Sequence, residues 1–134
     1  MAEKTLSGAC LCGAVKFEVA PSFDFFGFCQ CSRCRRVTGA AFATNLFAST
    51  DQFSWVSGEG NIGHFDLPEA KSFANDFCKT CGSRVPRKLK TTDRMLVPAG
   101  SIMEDPGIAP TLVCAEDHTE WFTGLEKAVS GETQ

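Results

Sequence analysis

The chain has no tyrosine, two tryptophans and two histidines among its 134 residues. It has no run near the roughly 18 consecutive apolar residues that a membrane-spanning helix needs, which excludes a helical span. It lacks a basic excess: 13 Lys and Arg face 16 Asp and Glu, for a net charge of −3. A general grip on nucleic acid through its phosphates calls for the opposite balance, so no nucleic-acid partner is expected. Met1 to Thr5 leads into no apolar segment and no small-residue cleavage site, so a cytoplasmic location without a secretion signal is expected. Linkers, low-complexity tracts and 20–50-residue repeats are missing too. One domain over residues 1–134, with a core of about 6–125, is the expectation. Hydrophobic residues at 43% and charged residues at 22% exclude disorder as the main state.

What is there reads as short strands and turns. Val15, Phe17 and Val19 alternate with Lys16 and Glu18, the pattern of a half-buried strand. Apolar runs at 23–28, 42–48, 53–56, 72–77, 95–97, 112–115 and 121–122 are further strand candidates. Gly58-Glu59-Gly60, Leu67-Pro68, Pro98-Ala99-Gly100 and Asp105-Pro106-Gly107 punctuate them as turns. Ser32 to Thr38 reads as a two-turn helix stopped by Gly39, and a second helical turn is expected near Met103-Glu104. The pattern predicts a mainly β domain of short antiparallel strands with one short helix. Twelve phenylalanines are expected to fill a small core, with one or two lining a pocket.

The eight cysteines are the outlier. Seven fall into tight groups: Cys10-x-Cys12, Cys29-x-Cys31-x-x-Cys34 and Cys78-x-x-Cys81. Neighbours this close make poor disulfide partners, because the bridge needs a set Cα separation and dihedral. They make good metal clips, and converging thiolates favour zinc. A closed structural zinc takes four protein ligands, while a catalytic zinc keeps three and leaves one position open. Cys10, Cys12, Cys78 and Cys81 make a set of four, and Cys29, Cys31 and Cys34 make a set of three. Alternate residues of a strand share a face, so Cys10 and Cys12 are expected to reach one ion from a strand. Cys78-Lys79-Thr80-Cys81-Gly82 has the form of a zinc knuckle, with Gly82 suited to a left-handed turn. The spacing also permits Cys78 and Cys81 to join two of the central three, or Cys114 or a histidine to close the central group. Cys114 itself sits in an apolar run and reads as a core residue. His64 and His118 read as surface residues.

Seven of the thirteen basic residues fall in two runs, one at the central triad and one just after the last clip. Arg33, Arg35 and Arg36 flank the central triad, and Arg84, Arg87, Lys88 and Lys90 follow the last clip. They read equally as charge compensation with a dock for an anionic substrate, or as a solvated basic face. Arg33 and Arg36 are the candidates for holding a substrate carboxylate.

These residues carry a resemblance. The segments Gly8 to Phe17, Cys29 to Arg36 with Gly39, and Phe77 to Ser83 resemble the glutathione-dependent formaldehyde-activating enzyme family, which shares its domain with centromere protein V. Val97 to Ser101 and Trp121-Phe122 fall where that family has a strand-turn and a Trp-containing segment. The resemblance implies a mainly β, Mss4-like fold. It implies a structural zinc on Cys10, Cys12, Cys78 and Cys81, and a second zinc at Cys29, Cys31 and Cys34 near which the glutathione thiol acts. The implied reaction joins formaldehyde to glutathione as S-(hydroxymethyl)glutathione, carbon–sulfur lyase chemistry with a small thiol and a small aldehyde as partners. The chain lacks a histidine in the strand after Pro110, and Cys114 is extra. Two other readings belong beside it. One is a non-enzymatic zinc-stabilised binding module of the centromere protein V type. The other is a methionine sulfoxide reductase using Cys114, which has no cysteine near it in the sequence to resolve an oxidised sulfur.

Overall fold

The computed structural model describes residues 4–131. Within that span the strands are β1 Leu6–Ala9, β2 Lys16–Val19, β3 Phe25–Cys29, β4 Ala43–Ser49, β5 Phe53–Ser57, β6 Ile62–Asp66, β7 Ala74–Cys78, β8 Arg87–Lys88, β9 Arg94–Pro98 and β10 Thr111–Val113. The helices are α1 Ser32–Thr38 and α2 Leu125–Ser130. The chain is mainly β and built of short strands, as expected. None of its helices is long and apolar enough to cross a membrane among the described residues.

The strands form an antiparallel sheet β1-β2-β5, a five-stranded sheet β10-β3-β4-β9-β8 and a hairpin β6-β7. One pairing departs from the antiparallel expectation: β10 runs parallel to β3, with Val113 opposite Cys29. The chain between β9 and β10 is long enough to return and enter from the same end, which a tight hairpin forbids.

Period-two alternation in β2 buries Phe17 and Val19 and exposes Lys16 and Glu18, as predicted. That face packs with Leu46 and Ala48 of β4 and Met95 and Val97 of β9 into the main core. Trp55 of β5 joins this core to a second one made of Cys10, Val15, Cys78 and Val85. The second core is half sulfur, with one cysteine of each outer clip buried inside the packing.

The phenylalanines divide their labour more than the sequence predicted. Phe17 is the fully buried ring among the described residues, with Phe23, Phe26 and Phe53 packed around the core at partial exposure. Phe28 stacks on Phe42, whose edge meets Phe122. Phe122 and Trp121 lie in a 3₁₀ segment, Glu120–Gly124, and not in a strand. Two residues carry no periodicity, so their apolar character alone could not tell the two states apart. Met103 and Glu104 form a bend after a 3₁₀ turn at Ala99–Ser101, not a helical turn. The described span has a second short helix, α2, which the sequence did not announce.

The β6-β7 hairpin carries a charge network. His64 contacts Asp76 through Nδ1 and Asp66 through Nε2, and Lys90 reaches Asp66. Asp76, then Asp66, raise the His64 pKa above its ordinary 6.5. The imidazolium therefore favours the folded chain fully below about pH 6.5, and its contribution fades as pH rises through the raised folded value. Replacing His64 by Asn is expected to lower the melting temperature more at pH 5.5 than at pH 9. Melting curves at the two pH values check this, and an equal drop at both contradicts it.

Candidate metal centres

Four sulfurs come from two turns. The chain leaves β1 at Cys10, whose N–H donates to Val15 O, while Gly13 N–H closes back on Cys10 O. Cys10 and Cys12 thus sit in a tight turn, not in a strand as the sequence reading had it. The turn brings their Sγ atoms to 3.6 Å. The second clip starts at the end of β7. Gly82 N–H donates to Cys78 O, and Gly82 takes the left-handed φ of 80° that its place in the knuckle called for. Leu11 N–H donates to Ser83 Oγ, tying one turn to the other.

Cys10, Cys12, Cys78 and Cys81 offer sulfurs all within 4.8 Å of one another. Cys12 Sγ lies 3.8 Å from Cys78 Sγ. Four sulfurs on a tetrahedral zinc at the usual Zn–S distance stand about 3.8 Å apart. The cluster also holds reduced cysteines, with no disulfide among the described residues. Spacing, count and ligand chemistry all fit the ion.

The cluster favours the thiolate at some of its sulfurs and opposes it at another. The Ser83 hydroxyl, then the N–H groups of Ser83 and Cys12, pull Cys81 down to about 5. Burial opposes ionisation at Cys10, but the Val15 N–H and the thiols of Cys12 and Cys78 outweigh it and lower its pKa. At Cys12 the Ala14 N–H lowers the pKa, yet burial and the surrounding thiols outweigh it and push it up to about 11. Four sulfurs cannot all hold negative charge without a cation among them.

The other three sulfurs come from one continuous segment. β3 ends at Cys29, Cys31 caps α1, and Cys34 lies in the first turn of α1. The Cys34 N–H donates to Cys31 Sγ at 3.4 Å. Helix α1 has the bounds expected from sequence, and Gly39 ends it with its N–H on Arg35 O. Cys29, Cys31 and Cys34 lie within 4.8 Å of one another, separate from the four-sulfur cluster. Burial works against the Cys31 thiolate, but the Cys34 N–H and the thiols of Cys29 and Cys34 lower its pKa. Cys34 is raised, mainly by burial.

Cys114 is half-buried, not a core residue, and has a left-handed φ of 56°. The parallel pairing of β10 and β3 brings it beside Cys29, whose thiol and charge, after burial, raise its pKa. It does not fall in the mutual cluster of the three; its sulfur groups instead with Glu116 and Asp117. His118 is exposed and bonds Ala115 O, and His64 belongs to the hairpin network.

The triad faces a cleft of about 620 Å³ whose wall includes Arg33, Arg84 and Arg87. Arg33 is exposed at its edge, while Arg36 lines an adjoining groove beside Phe65 and Phe73. Gln30, between Cys29 and Cys31, does not line this cleft. Its side chain is fully buried next to a second cleft with Phe122 and His118, and neither amide atom has a partner.

The comparisons with known proteins follow this geometry. The sequence model of the glutathione-dependent formaldehyde-activating enzyme family matches residues 5–120. The chain belongs to that family. A crystal structure of a Rhodobacter sphaeroides protein is similar, with 25% identity, 78% of this chain and 97% of that chain covered, and a TM-score of 0.60. Membership in the formaldehyde-activating family supports an enzymatic role in glutathione and formaldehyde chemistry, and it agrees with sulfur clusters able to bind zinc.

For a member of the formaldehyde-activating family, the residues that sequence reasoning undervalued are Arg84 and Arg87. Arg84 Nε donates to Asn75 Oδ1 at 3.1 Å, and its Nη1 to Asn45 Oδ1 at 3.4 Å. Arg87 is 7% exposed. Burial is the main cause that lowers both guanidinium pKa values. Val85, Pro86 and Arg87 are buried in succession and Lys88 is exposed, a pattern that no alternation in the sequence announces.

Proposed function

We propose that the protein catalyses reversible addition of glutathione, or a closely related small thiol, to formaldehyde or a similarly small aldehyde. The product class is S-(hydroxymethyl)glutathione, and the reverse direction is a carbon–sulfur lyase reaction. In this reading residues 1–134 act as one domain, Cys10, Cys12, Cys78 and Cys81 hold a structural zinc, and Cys29, Cys31 and Cys34 hold a second one. The observation that carries the reading is the three-sulfur group opening on a cationic cleft, apart from the group of four. When bound at the triad, zinc supplies Lewis acidity that favours the thiolate form of a substrate thiol.

The chain's own residues do the rest. Arg84 places a fixed positive charge near Cys29 and Cys34, which favours an anion in the cleft. The Cys34 N–H holds Cys31 Sγ in position. The cleft walls bring thiol and aldehyde together, and proximity is the main gain for a two-substrate addition. The thiol loses its proton, a sulfur–carbon bond forms as the carbonyl π bond opens, and the oxygen takes up a proton. No oxidant or reductant is needed. Arg33 at the mouth and Arg36 in the adjoining groove are the outer contacts for an anionic substrate. The test is the rate at which formaldehyde consumes the glutathione thiol, followed by stopped flow. A rate above the uncatalysed one is expected, and the uncatalysed rate with fully metallated protein overturns the reading.

A further inference from the structure

We propose that Arg84 and Arg87 form a carboxylate-binding site inside the triad cleft, so that the thiol substrate is recognised by a carboxylate of its own. The inference rests on the reading of the triad as the thiol site and adds what selects the thiol.

Two observations meet here. The first is that both guanidiniums line the cleft that holds the three sulfurs. The second is that Arg87 is more than nine-tenths buried, yet its Nε and Nη1 have no hydrogen-bond partner. Neither arginine has a carboxylate partner among the described residues. Arg84 spends Nε and Nη1 on two asparagine oxygens, which are neutral and fix its plane without discharging it. A buried donor without an acceptor is costly. Asp76 and Asp66 act on Arg87 through charge alone, without forming an ion pair with it, so its Nε and Nη1 stay without an acceptor. A substrate carboxylate supplies paired acceptors matched to the guanidinium fork. Glutathione has two carboxylates, one for this inner pair and one for Arg33 at the mouth.

A competing role for the pair is compensation of the thiolate charge alone, and the experiment separates the two. Glutathione, its diethyl ester and S-methylglutathione are titrated calorimetrically into the full-length, metal-loaded protein. The ester is expected to bind about 10- to 100-fold more weakly than glutathione, the worth of a charge-assisted hydrogen bond. Arg87→Met is expected to shrink the preference for glutathione over the ester at least several-fold, the remainder being held by Arg84 and Arg33, with metal content unchanged. Arg87→Lys, which keeps the charge and loses the fork, is expected between. Equal affinity of the wild type for glutathione and its ester overturns the carboxylate site and leaves the thiol reading standing. Loss of metal in Arg87→Met with the acid-to-ester ratio preserved also overturns it, in favour of charge compensation. S-methylglutathione keeps both carboxylates and lacks the free thiol; if it binds as tightly as glutathione, the thiol reading fails while the carboxylate site survives. The ester comparison on the wild type needs no variant, so a misfolded mutant does not blunt the test.

Discussion

Cys78→Ser is expected to abolish a stable fold. Cys78 is fully buried, and its sulfur lies between Cys12 and the Asn61 amide. It also belongs to the second core with Cys10, Val15 and Val85. The substitution removes a soft ligand and puts a hydroxyl in its place. A structural metal site contributes its binding free energy to folding, which exceeds about 10 kcal/mol for isolated zinc modules. Whole domains are stable by only about 5–15 kcal/mol. The variant is therefore expected to express as aggregate or to lose its cooperative melting transition. Soluble protein with the wild-type melting temperature and metal content would contradict a structural role for this site.

The second large effect is expected in the triad, with the opposite balance. Cys31 is half-buried at the cap of α1, away from both hydrophobic cores. Cys31→Ser keeps an oxygen that can accept the Cys34 N–H, so the helix cap is retained. The fold is expected to melt within a few degrees of the wild type, while catalysed thiol addition falls by at least about 100-fold, the scale of losing a positioned catalytic group. One metal equivalent is expected to go with it. Cys114→Ser is the control. Its sulfur stands beside Cys29 but outside the mutual cluster of the three, so metal content is expected to stay at the wild-type value. A loss of metal in Cys114→Ser, with activity unchanged, would make the second site closed and structural.

Much of this was legible from residue spacing, and the exceptions have physical reasons. Helix α1 was readable to the residue because Gly39 marks its end and no other element competes for so short a segment. Strand β2 was readable because one face is buried and the other wet. β1 was not, because Gly8 looks like a turn residue. Its lack of a side chain is what the sheet requires, since a Cβ there would stand 2.0 Å from the Phe17 ring. β6 was missed because Gly63, His64 and Asp66 give no apolar alternation, and its pairing with β7 supplies the order instead. The clips were plain in sequence, but their backbone was not: Cys10 and Cys12 converge through a turn. Arg84 and Arg87 read equally as an anion dock or a solvated face after the last clip, and only the folded chain turns them inward beside a segment some fifty residues away in sequence. Cys114 needed the parallel β10-β3 pairing, a non-local contact that no local pattern announces.

The most direct measurement is zinc per chain, determined on the purified protein before and after dialysis against excess glutathione. Two equivalents falling toward one is the expected result, with the folded signal intact throughout, because four sulfurs enclose one ion while three leave the other open to a competing thiol. A constant two, or a chain that never holds more than one, would contradict the division of the seven sulfurs into a closed and an open site.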